Sequence, residues 1–373
     1  MLATFAAPAR YVQGKDATAE LGPVLRQVGL TAPALILASE RIGRQLADAW
    51  TATLGGAGIE FTVHAFGGEC SQSEIDAGVA AAAAAGAGTI IAVGGGKALD
   101  AGRAVGVAAG LETVMCPTLA SNDAPCSAVS VVYTETGEVD RVMHHPRNPE
   151  LVLVDTTIIA NSPARYLASG MGDALATWFE ARTVAEARKP NELGGAPNMS
   201  ALALSRLCYD TLLADGPAAL AAVEAHSVTP ALERLVEANT LLSGLGFESG
   251  GLAVAHSVHN GLTMLGPTHD FLHGEKVAIG LLVQLVVEGR PDAEFREVVA
   301  FCREVGLPTR LADIGLGDAS ADDLRVVAAR TVAPAETAHN EPFEVTAELI
   351  ADGIRAADAR ASAIGADLGS HRE

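Results

Sequence analysis

The segment TIIAVGGGKALDAGRAV, residues 89–105, decides the fold. A short apolar run ends in three consecutive glycines, Gly94, Gly95 and Gly96, and a helical stretch begins at Lys97. Such a strand, turn and helix brings unpaired N–H groups and the positive end of the helix dipole to one point, which suits a phosphate. Glycines let that ligand approach the backbone closely. The segment matches neither a Walker loop nor GxGxxG, and the same turn also occurs without a ligand, so the pattern alone leaves both interpretations open.

Other apolar runs on both sides of this segment alternate with helical stretches. We predict buried strands at residues 34–38, 59–66, 89–93, 114–116 and 151–154, and helices at 42–54, 74–85 and 97–109. Strands that alternate with helices predict a parallel sheet with right-handed crossovers, hence an α/β domain. Residues 129–133 and 141–144, which turn at Thr136 and Gly137, predict an inserted hairpin.

The second half of the chain carries no strand signal. Helical periodicity predicts helices at residues 164–188, 199–213, 230–245, 250–265, 273–288 and 292–305. Turn-favouring residues at 161–163 mark the change of pattern. We therefore predict an α/β domain over residues 1–161 and an all-helical domain over residues 162–373.

Charge and cysteine content exclude several classes of protein. The 373 residues include 25 Lys and Arg against 45 Asp and Glu, a net charge of −20, without a basic cluster to bind nucleic acid or an anionic membrane surface. The five cysteines are widely spaced and form no CxxC, which argues against a disulfide framework and a thiolate zinc site and favours a reducing compartment. The N-terminal MLATFAAPAR does not resemble an export signal, so we expect a cytoplasmic protein.

Two polar clusters are candidates for the chemistry. Residues 117–138, PTLASNDAPCSAVSVVYTETGE, place small hydroxyl side chains around Asn122 and Asp123, which suits the amide and sugar of a cofactor, although such residues also form ordinary turns. In the helical half, the segment GMGDALATWFEA contains Asp173, GGLAVAHSVHNGLT contains His256 and His259, and THDFLHGEKVAIG contains His269 and His273. Imidazole and carboxylate groups ligate Zn²⁺ or Fe²⁺. A lone histidine among apolar residues is more often part of the core, but several such groups near helix starts favour a metal site.

Several long pieces of the sequence resemble bacterial glycerol dehydrogenases, which are zinc-dependent members of the iron-containing alcohol dehydrogenase superfamily. They include YVQGKDA, FGGECS, GGGKALD, SNDAPCSA, HHPRNPELVLVDT, ASGMGDALATWFEAR, NTLLSGLGFESGGLAVAH, HNGLT and HGEKVAIG, and the similarity extends to HNEPFEVT near the C-terminus. The resemblance implies a dinucleotide-binding α/β domain and a helical metal- and substrate-binding domain, the dehydroquinate synthase-like arrangement. It also implies a homo-oligomer, since the family forms octamers.

The resemblance also implies the site residues. Asp173, His256 and His273 match the metal ligands, and Thr177 stands where the iron enzymes have a fourth ligand, so the zinc site keeps an open position. Asp123 matches a residue that contacts the glycerol hydroxyls, and Phe247 matches an aromatic that closes the substrate pocket. The matched cofactor positions are Gly94, Gly95, Gly96, Lys97, Asp100, Thr118, Ser121, Ser127, Val129 and Tyr133.

The implied activity is hydride transfer from glycerol, or a similar vicinal diol, to NAD, which gives dihydroxyacetone. Cys126 stands where relatives commonly have Thr. Ser39 stands where relatives carry an Asp for the adenosine ribose; Arg41 and Arg44 follow it, so NADP is the alternative cofactor. The alternative functions are a dehydroquinate synthase-type lyase that uses NAD and zinc, a dehydrogenase of another polyol, and a catalytically silent dinucleotide-binding protein.

Overall fold

A six-stranded parallel sheet forms the centre of the N-terminal half. The computed structural model of the protein describes residues 1–134 and 139–370, with side chains to residue 364. The strands follow the order β1-β8-β5-β4-β2-β3 across the sheet. Their bounds are β1 Tyr11–Gly14, β2 Ala34–Ala38, β3 Phe61–Ala65, β4 Thr89–Gly94, β5 Glu112–Pro117 and β8 Leu151–Asp155.

Helices cover both faces of this sheet. They are α1 Leu21–Gln27, α2 Glu40–Gly56, α3 Gln72–Ala84, α4 Gly96–Ala109 and α5 Thr156–Ala160. Alternate residues of each strand enter different cores, as the two-residue period of a strand requires. Ile36 and Ile91 pack in the core that contains Trp50 of α2, whereas Leu35 and Ile90 pack in the core that contains Val105 of α4. The predicted α/β class and the predicted parallel sheet are confirmed.

The register of the sheet places the candidate cofactor residues along one edge. Ala38 of β2 is aligned with Val93 of β4, and Val93 is aligned with Cys116 of β5. The three strands therefore end together, and the residues that follow them lie at the carboxyl edge of the sheet. Ligands of open parallel sheets bind at this edge.

Two features of the sheet differ from prediction. Strand β3, predicted as buried, is the edge strand, paired with β2 on one side only, and Thr62 and Val63 are exposed. The prediction for residues 59–66 was therefore right about a strand and wrong about its burial. Strand β1 was not predicted; four residues show too short an alternation to be recognised, and the strand is fixed by its pairing with β8.

The predicted hairpin is present as two antiparallel strands, β6 Val129–Tyr133 and β7 Val139–His144. The turn predicted at Thr136 and Gly137 lies outside the described residues. The register shifts between Val132 and Tyr133, which marks an irregularity near the end of β6.

The described residues from 162 to 370 form helices and no named strand, as predicted. The helices are α6 Ala164–Ala187, α7 Met199–Glu224, α8 Pro230–Glu237, α9 Ser243–Gly250, α10 Val254–Leu262, α11 His273–Val287, α12 Asp292–Glu304, α13 Ala321–Thr331 and α14 Ala347–Ser370. A π-helical turn, Ala238–Leu242, joins α8 to α9. The helix predicted to start at residue 250 starts instead at Val254, because Gly251 adopts a φ of 99° and breaks the helix. No described helix is long and apolar enough to cross a membrane.

The chain forms two compact units that do not each consist of one continuous segment. One unit contains Ala6–Ala164 together with Ala218–Leu245, and the other contains Met1–Phe5, Arg165–Pro217 and Gly246–Glu373. The change at residue 164 lies close to the predicted change of pattern at 161–163. Residues 218–245, predicted to lie in the helical domain, pack with the α/β unit. The helix α8 contributes to this packing because Gln13 of β1 donates hydrogen bonds to the carbonyl and carboxylate of Glu233.

Candidate active site

Asp173, His256 and His273 form a cluster of three ligand-type side chains in the helical unit. Their ligand atoms all lie within 4.8 Å of one another. The Nε2 atom of His256 is 3.2 Å from Asp173 Oδ1, and the Nε2 atom of His273 is 2.9 Å from the same oxygen. Three helices, α6, α10 and α11, each supply one of these residues. The structure thus brings together the residues predicted as metal ligands, although they are 83 and 100 positions apart in sequence.

Glycines let the helices that carry these residues approach one another. A Cβ atom at Gly172 would lie 2.4 Å from the carbonyl oxygen of Gly274, and one at Gly274 would lie 1.7 Å from the carbonyl oxygen of Ser169. Helices α6 and α11 therefore touch backbone to backbone beside Asp173 and His273. No larger residue fits at either position without separating the two helices.

The electrostatics of the cluster suit a cation. Burial by itself raises the pKa of Asp173, but the charge of His273 and the hydrogen bonds from His256 and His273 outweigh it and hold the pKa well below its ordinary value. Burial lowers the pKa of His256, but the carboxylates of Glu180 and Asp173 raise it well above its ordinary value. The carboxylates therefore favour positive charge at this point. One carboxylate oxygen and two imidazole nitrogens are a donor set that zinc accepts, so the residues fit a divalent metal.

Two further side chains contact this cluster: His259, one of the four histidines noted in the sequence, and Glu180, which sequence reasoning missed. The Glu180 carboxylate accepts a hydrogen bond from Nδ1 of His256 at 2.5 Å. Nε2 of His259 lies 3.0 Å from Nδ1 of His273. Glu180 lies about two helical turns after Asp173 on α6, so the two side chains share a face of the helix. This spacing is the sequence signal that could have identified Glu180. Thr177, between them, is buried and faces Gly246, whose added Cβ would lie 2.6 Å from its methyl group.

The glycine turn of the α/β unit has the predicted conformation. Strand β4 ends at Gly94, Gly95 precedes the helix in an extended conformation, and α4 begins at Gly96. A Cβ at Gly96 would lie 2.3 Å from the side-chain nitrogen of Asn122, so this glycine admits a close neighbour. The Lys97 ammonium pairs with Glu69 and lies 5.1 Å from the centre of the Tyr133 ring.

The remaining predicted cofactor residues lie on α4, on the loop after β5 and on β6. Thr118 donates its backbone N–H to Gly94 O at 2.9 Å, which joins the loop to the glycine turn. Asp100 is buried and accepts hydrogen bonds from Arg103 and from the backbone N–H of Val131. Ser127 is buried, and Ser121, Val129 and Tyr133 are partly exposed.

Arg103 organises this loop, and sequence reasoning missed it as well. Its side chain is fully buried and donates hydrogen bonds to the Asp100 carboxylate and to the carbonyls of Val129 and Ala124. A buried guanidinium with these partners fixes α4 against both ends of residues 124–129. Residue spacing gives a weak signal, because Asp100 and Arg103 lie one turn apart on α4.

Asp123 is held by residues that are distant in sequence. Ser243 donates its hydroxyl to Asp123 Oδ2 at 2.7 Å, and Asn239 donates to the carbonyl of Ala120 at 3.0 Å. Both partners lie in or next to the π-helical turn, a conformation that is frequent at functional sites. Within the α/β unit, residues 239–243 therefore support the SNDAPCS loop. Phe247 lies on α9 of the helical unit and is 7% exposed.

Ser39 starts helix α2 directly after strand β2. Its hydroxyl accepts the backbone N–H of Ile42 at 3.4 Å, the usual contact of an N-terminal capping residue. Arg44 pairs with Glu40 at the surface. The structure thus places Ser39 at the carboxyl edge of the sheet, next in order to the glycine turn after β4.

Comparison with known proteins assigns this fold and site to a class. Residues 8–156 match the model of the family described as iron-containing alcohol dehydrogenase. The chain belongs to this family, since it is also 48% identical to curated relatives over at least 94% of its length.

Glycerol dehydrogenases are among its most similar relatives. The chain is 48% identical to the glycerol dehydrogenase of Pseudomonas putida over 94% of its own length and 96% of that protein. It is 46% identical to a glycolaldehyde reductase of Halobacterium salinarum, over 96% of the chain and 98% of the relative. The crystal structure of glycerol dehydrogenase from Schizosaccharomyces pombe superposes with a TM-score of 0.95 at 36% identity, covering 98% of this chain and 93% of that one. The resemblance stated from the sequence is confirmed.

Proposed function

We propose that the protein is a zinc- and NAD-dependent glycerol dehydrogenase, which oxidises glycerol to dihydroxyacetone. The observation that carries the proposal is the convergence of Asp173, His256 and His273 in a chain 48% identical to a glycerol dehydrogenase. We further propose that the protein acts in the cytoplasm and that it forms a homo-oligomer. The similarities above give no support to a lyase of the dehydroquinate synthase type.

Each group has a stated part in this reaction. Asp173, His256 and His273 would hold the zinc, which when bound polarises a substrate hydroxyl as a Lewis acid. We assign Gly94, Gly95, Gly96 and Lys97 to the cofactor pyrophosphate and the predicted residues of the next loop to the rest of NAD. The carbon that becomes the carbonyl gives a hydride to the nicotinamide ring, and its hydroxyl gives up a proton.

A steady-state screen tests this function. We would compare glycerol, 1,2-propanediol, 2,3-butanediol, dihydroxyacetone and glycolaldehyde, each with both nicotinamide cofactors and with and without added Zn²⁺. The expected result is the highest oxidative kcat/KM for glycerol with NAD. Higher kcat/KM for glycolaldehyde reduction than for either glycerol oxidation or dihydroxyacetone reduction would replace glycerol as the substrate. Failure to oxidise any diol would reject the activity.

Asp123→Asn is expected to weaken glycerol binding without loss of metal. We assign the Asp123 carboxylate to the glycerol hydroxyls, and a hydrogen bond to a charged group contributes about 1.5–3 kcal/mol. The KM for glycerol should rise and kcat/KM should fall roughly 10- to 100-fold. Metal content by atomic spectrometry should match the unmodified protein; loss of zinc from this variant would contradict the assignment of Asp123 to substrate.

Ser39→Asp is expected to strengthen the preference for NAD. A carboxylate at this edge of the sheet accepts hydrogen bonds from the ribose hydroxyls and repels a 2′-phosphate. The ratio of kcat/KM for NAD to that for NADP should rise roughly tenfold or more, since like charges in contact cost several kcal/mol. Ser39→Asn is the matched control, because Asn caps a helix as Asp does but carries no charge. A greater kcat/KM for NADP than for NAD in the unmodified enzyme would make Arg41 and Arg44 the residues to test.

A further inference from the structure

Glu180 is a fully buried carboxylate whose contacts all belong to the start of helix α10. Its Oε1 accepts the backbone N–H of Ala253 at 2.8 Å and that of His256 at 3.1 Å. Its Oε2 lies 2.5 Å from Nδ1 of His256. Helix α6 thus supplies both Asp173 and the group that holds the other side of His256. Both Glu180 oxygens point at N–H groups, so the contacts suit a carboxylate and no other natural side chain of this length.

These contacts select one tautomer of His256. A carboxylate only accepts hydrogen bonds, so Nδ1 of His256 must carry the proton that it shares with Glu180. The neutral imidazole that ligates a metal has one protonated and one unprotonated nitrogen, so with Nδ1 protonated the ligating atom is Nε2. Nε2 is the atom that faces Asp173. Without an ion Nε2 donates to Asp173, and an ion bound here would replace that proton and take Nε2 as its ligand.

His273 is held by a neutral partner instead of an anion. Its Nδ1 lies 3.0 Å from Nε2 of His259, and Nδ1 of His259 lies 3.0 Å from the side-chain oxygen of Asn260. The amide nitrogen of Asn260 donates to Glu336 at 3.0 Å, and Glu336 pairs with Arg330. Only one direction satisfies this chain of hydrogen bonds: Nδ1 of His259 donates to Asn260, Nε2 of His259 accepts from Nδ1 of His273, and Nε2 of His273 is the nitrogen left to ligate an ion.

We propose that Glu180 and His259 are the positioning residues of the metal site, which fix His256 and His273 in the Nδ1-protonated tautomer so that each presents Nε2 to the ion. The inference rests on the metal site of the proposed function and extends it to two residues that do not contact the ion. Outer partners of ligating histidines orient the ring and raise its basicity. Glu180 supplies a full negative charge, whereas His259 supplies only a dipole.

Replacement of Glu180 by Gln separates this role from simple packing. The amide has nearly the same size, but its NH₂ group must face either His256 Nδ1 or the two backbone donors. If it faces Nδ1, the ring is driven to the other tautomer and Nε2 becomes protonated. We expect Zn²⁺ affinity to fall about 10- to 100-fold, measured by competition with a chromogenic chelator at fixed pH. The visible spectrum of the Co²⁺-loaded variant should also differ from that of the unmodified protein.

Matched variants make the test decisive. Glu294→Gln is the control: Glu294 pairs with Arg182 in the same unit and contacts no ligand residue in the described part of the chain, so it should leave Zn²⁺ affinity unchanged. At the second histidine, His259→Leu removes the acceptor and should weaken binding, whereas His259→Gln can place an oxygen near the position of Nε2 and should restore most of it. This pair applies even where Glu180→Gln does not fold.

The inference is overturned by a folded Glu180→Gln with unchanged Zn²⁺ affinity, by an equal loss in Glu294→Gln, or by equal losses in the two His259 variants. Because metal binding is measured without substrate, the outcome is independent of the activity. If the variants weaken binding as expected but the unmodified protein does not oxidise glycerol, the proposed function fails and the positioning roles stand.

Discussion

His256→Ala is expected to lose its bound metal and at least about 10³-fold in kcat/KM for glycerol. A Lewis-acid metal supplies several kcal/mol of catalysis, and each 1.4 kcal/mol is a factor of ten. The variant should still fold, since the metal joins helices of an already large buried core. Metal content and circular dichroism of the purified protein check both parts of the expectation.

A second histidine of the same region serves as the control for this variant. His269 is exposed, and its ring contacts only the carbonyl of Thr263 among the described hydrogen bonds of its side chain, at 2.9 Å. His269→Ala should therefore keep both metal and activity. Full activity of His256→Ala in a metal-free preparation would contradict the ligand assignment.

Gly274→Ala is expected to damage both stability and the metal site. Its Cβ would lie 1.7 Å from Ser169 O and 2.9 Å from the backbone nitrogen of Asp173, so helices α6 and α11 must move apart. Overpacking of this kind costs about 1–3 kcal/mol or more. Because His273 precedes Gly274, its imidazole moves with the helix, and a misplacement of about 1 Å lowers catalysis roughly 10²-fold.

Chemical denaturation and Zn²⁺ titration measure the two effects of Gly274→Ala. Gly266→Ala provides the comparison, because a Cβ there meets nothing within 4 Å and the residue lies in the same unit. It should leave the free energy of unfolding nearly unchanged. Equal behaviour of the two variants would mean that the close helix contact does not hold the site together.

Local sequence patterns predicted the strands and turns that are set by neighbouring residues in the sequence. Strands β2, β4, β5 and β8 are short apolar runs between turn signals, and the three glycines at 94–96 require a turn between β4 and α4. Strand pairing joins residues that are distant in sequence. The pairing of β1 with β8 and the edge position of β3 therefore could not be predicted from local patterns. Gly251 was visible as a glycine, but its φ of 99° was not, nor was the approach of Val184, whose Cγ1 would lie 2.9 Å from a Cβ at this position.

The candidate site divides in the same way. Asp173, His256 and His273 were found because carboxylate and imidazole groups signal metal chemistry wherever they occur, and a family resemblance selected among the histidines. Glu180 and Arg103 have no such signal, since buried acids and arginines look like surface charges in a sequence. Ser243 was equally invisible, because its contact with Asp123 depends on the packing of residues 218–245 in the α/β unit.

The interleaving of the two units has a consequence for the order of synthesis. Chains fold from the N-terminus as they leave the ribosome, and a unit that is continuous in sequence can finish before the next begins. Here the sheet of the α/β unit lacks its helix α8, and Gln13 and Tyr11 lack their partners Glu233 and Thr240, until residues 218–245 have emerged. The segment around Thr4 also lacks a partner until residue 196 has been made, because the backbone N–H of Thr4 donates to the carbonyl of Ala196. Neither unit can therefore be completed during translation before most of the chain has been made.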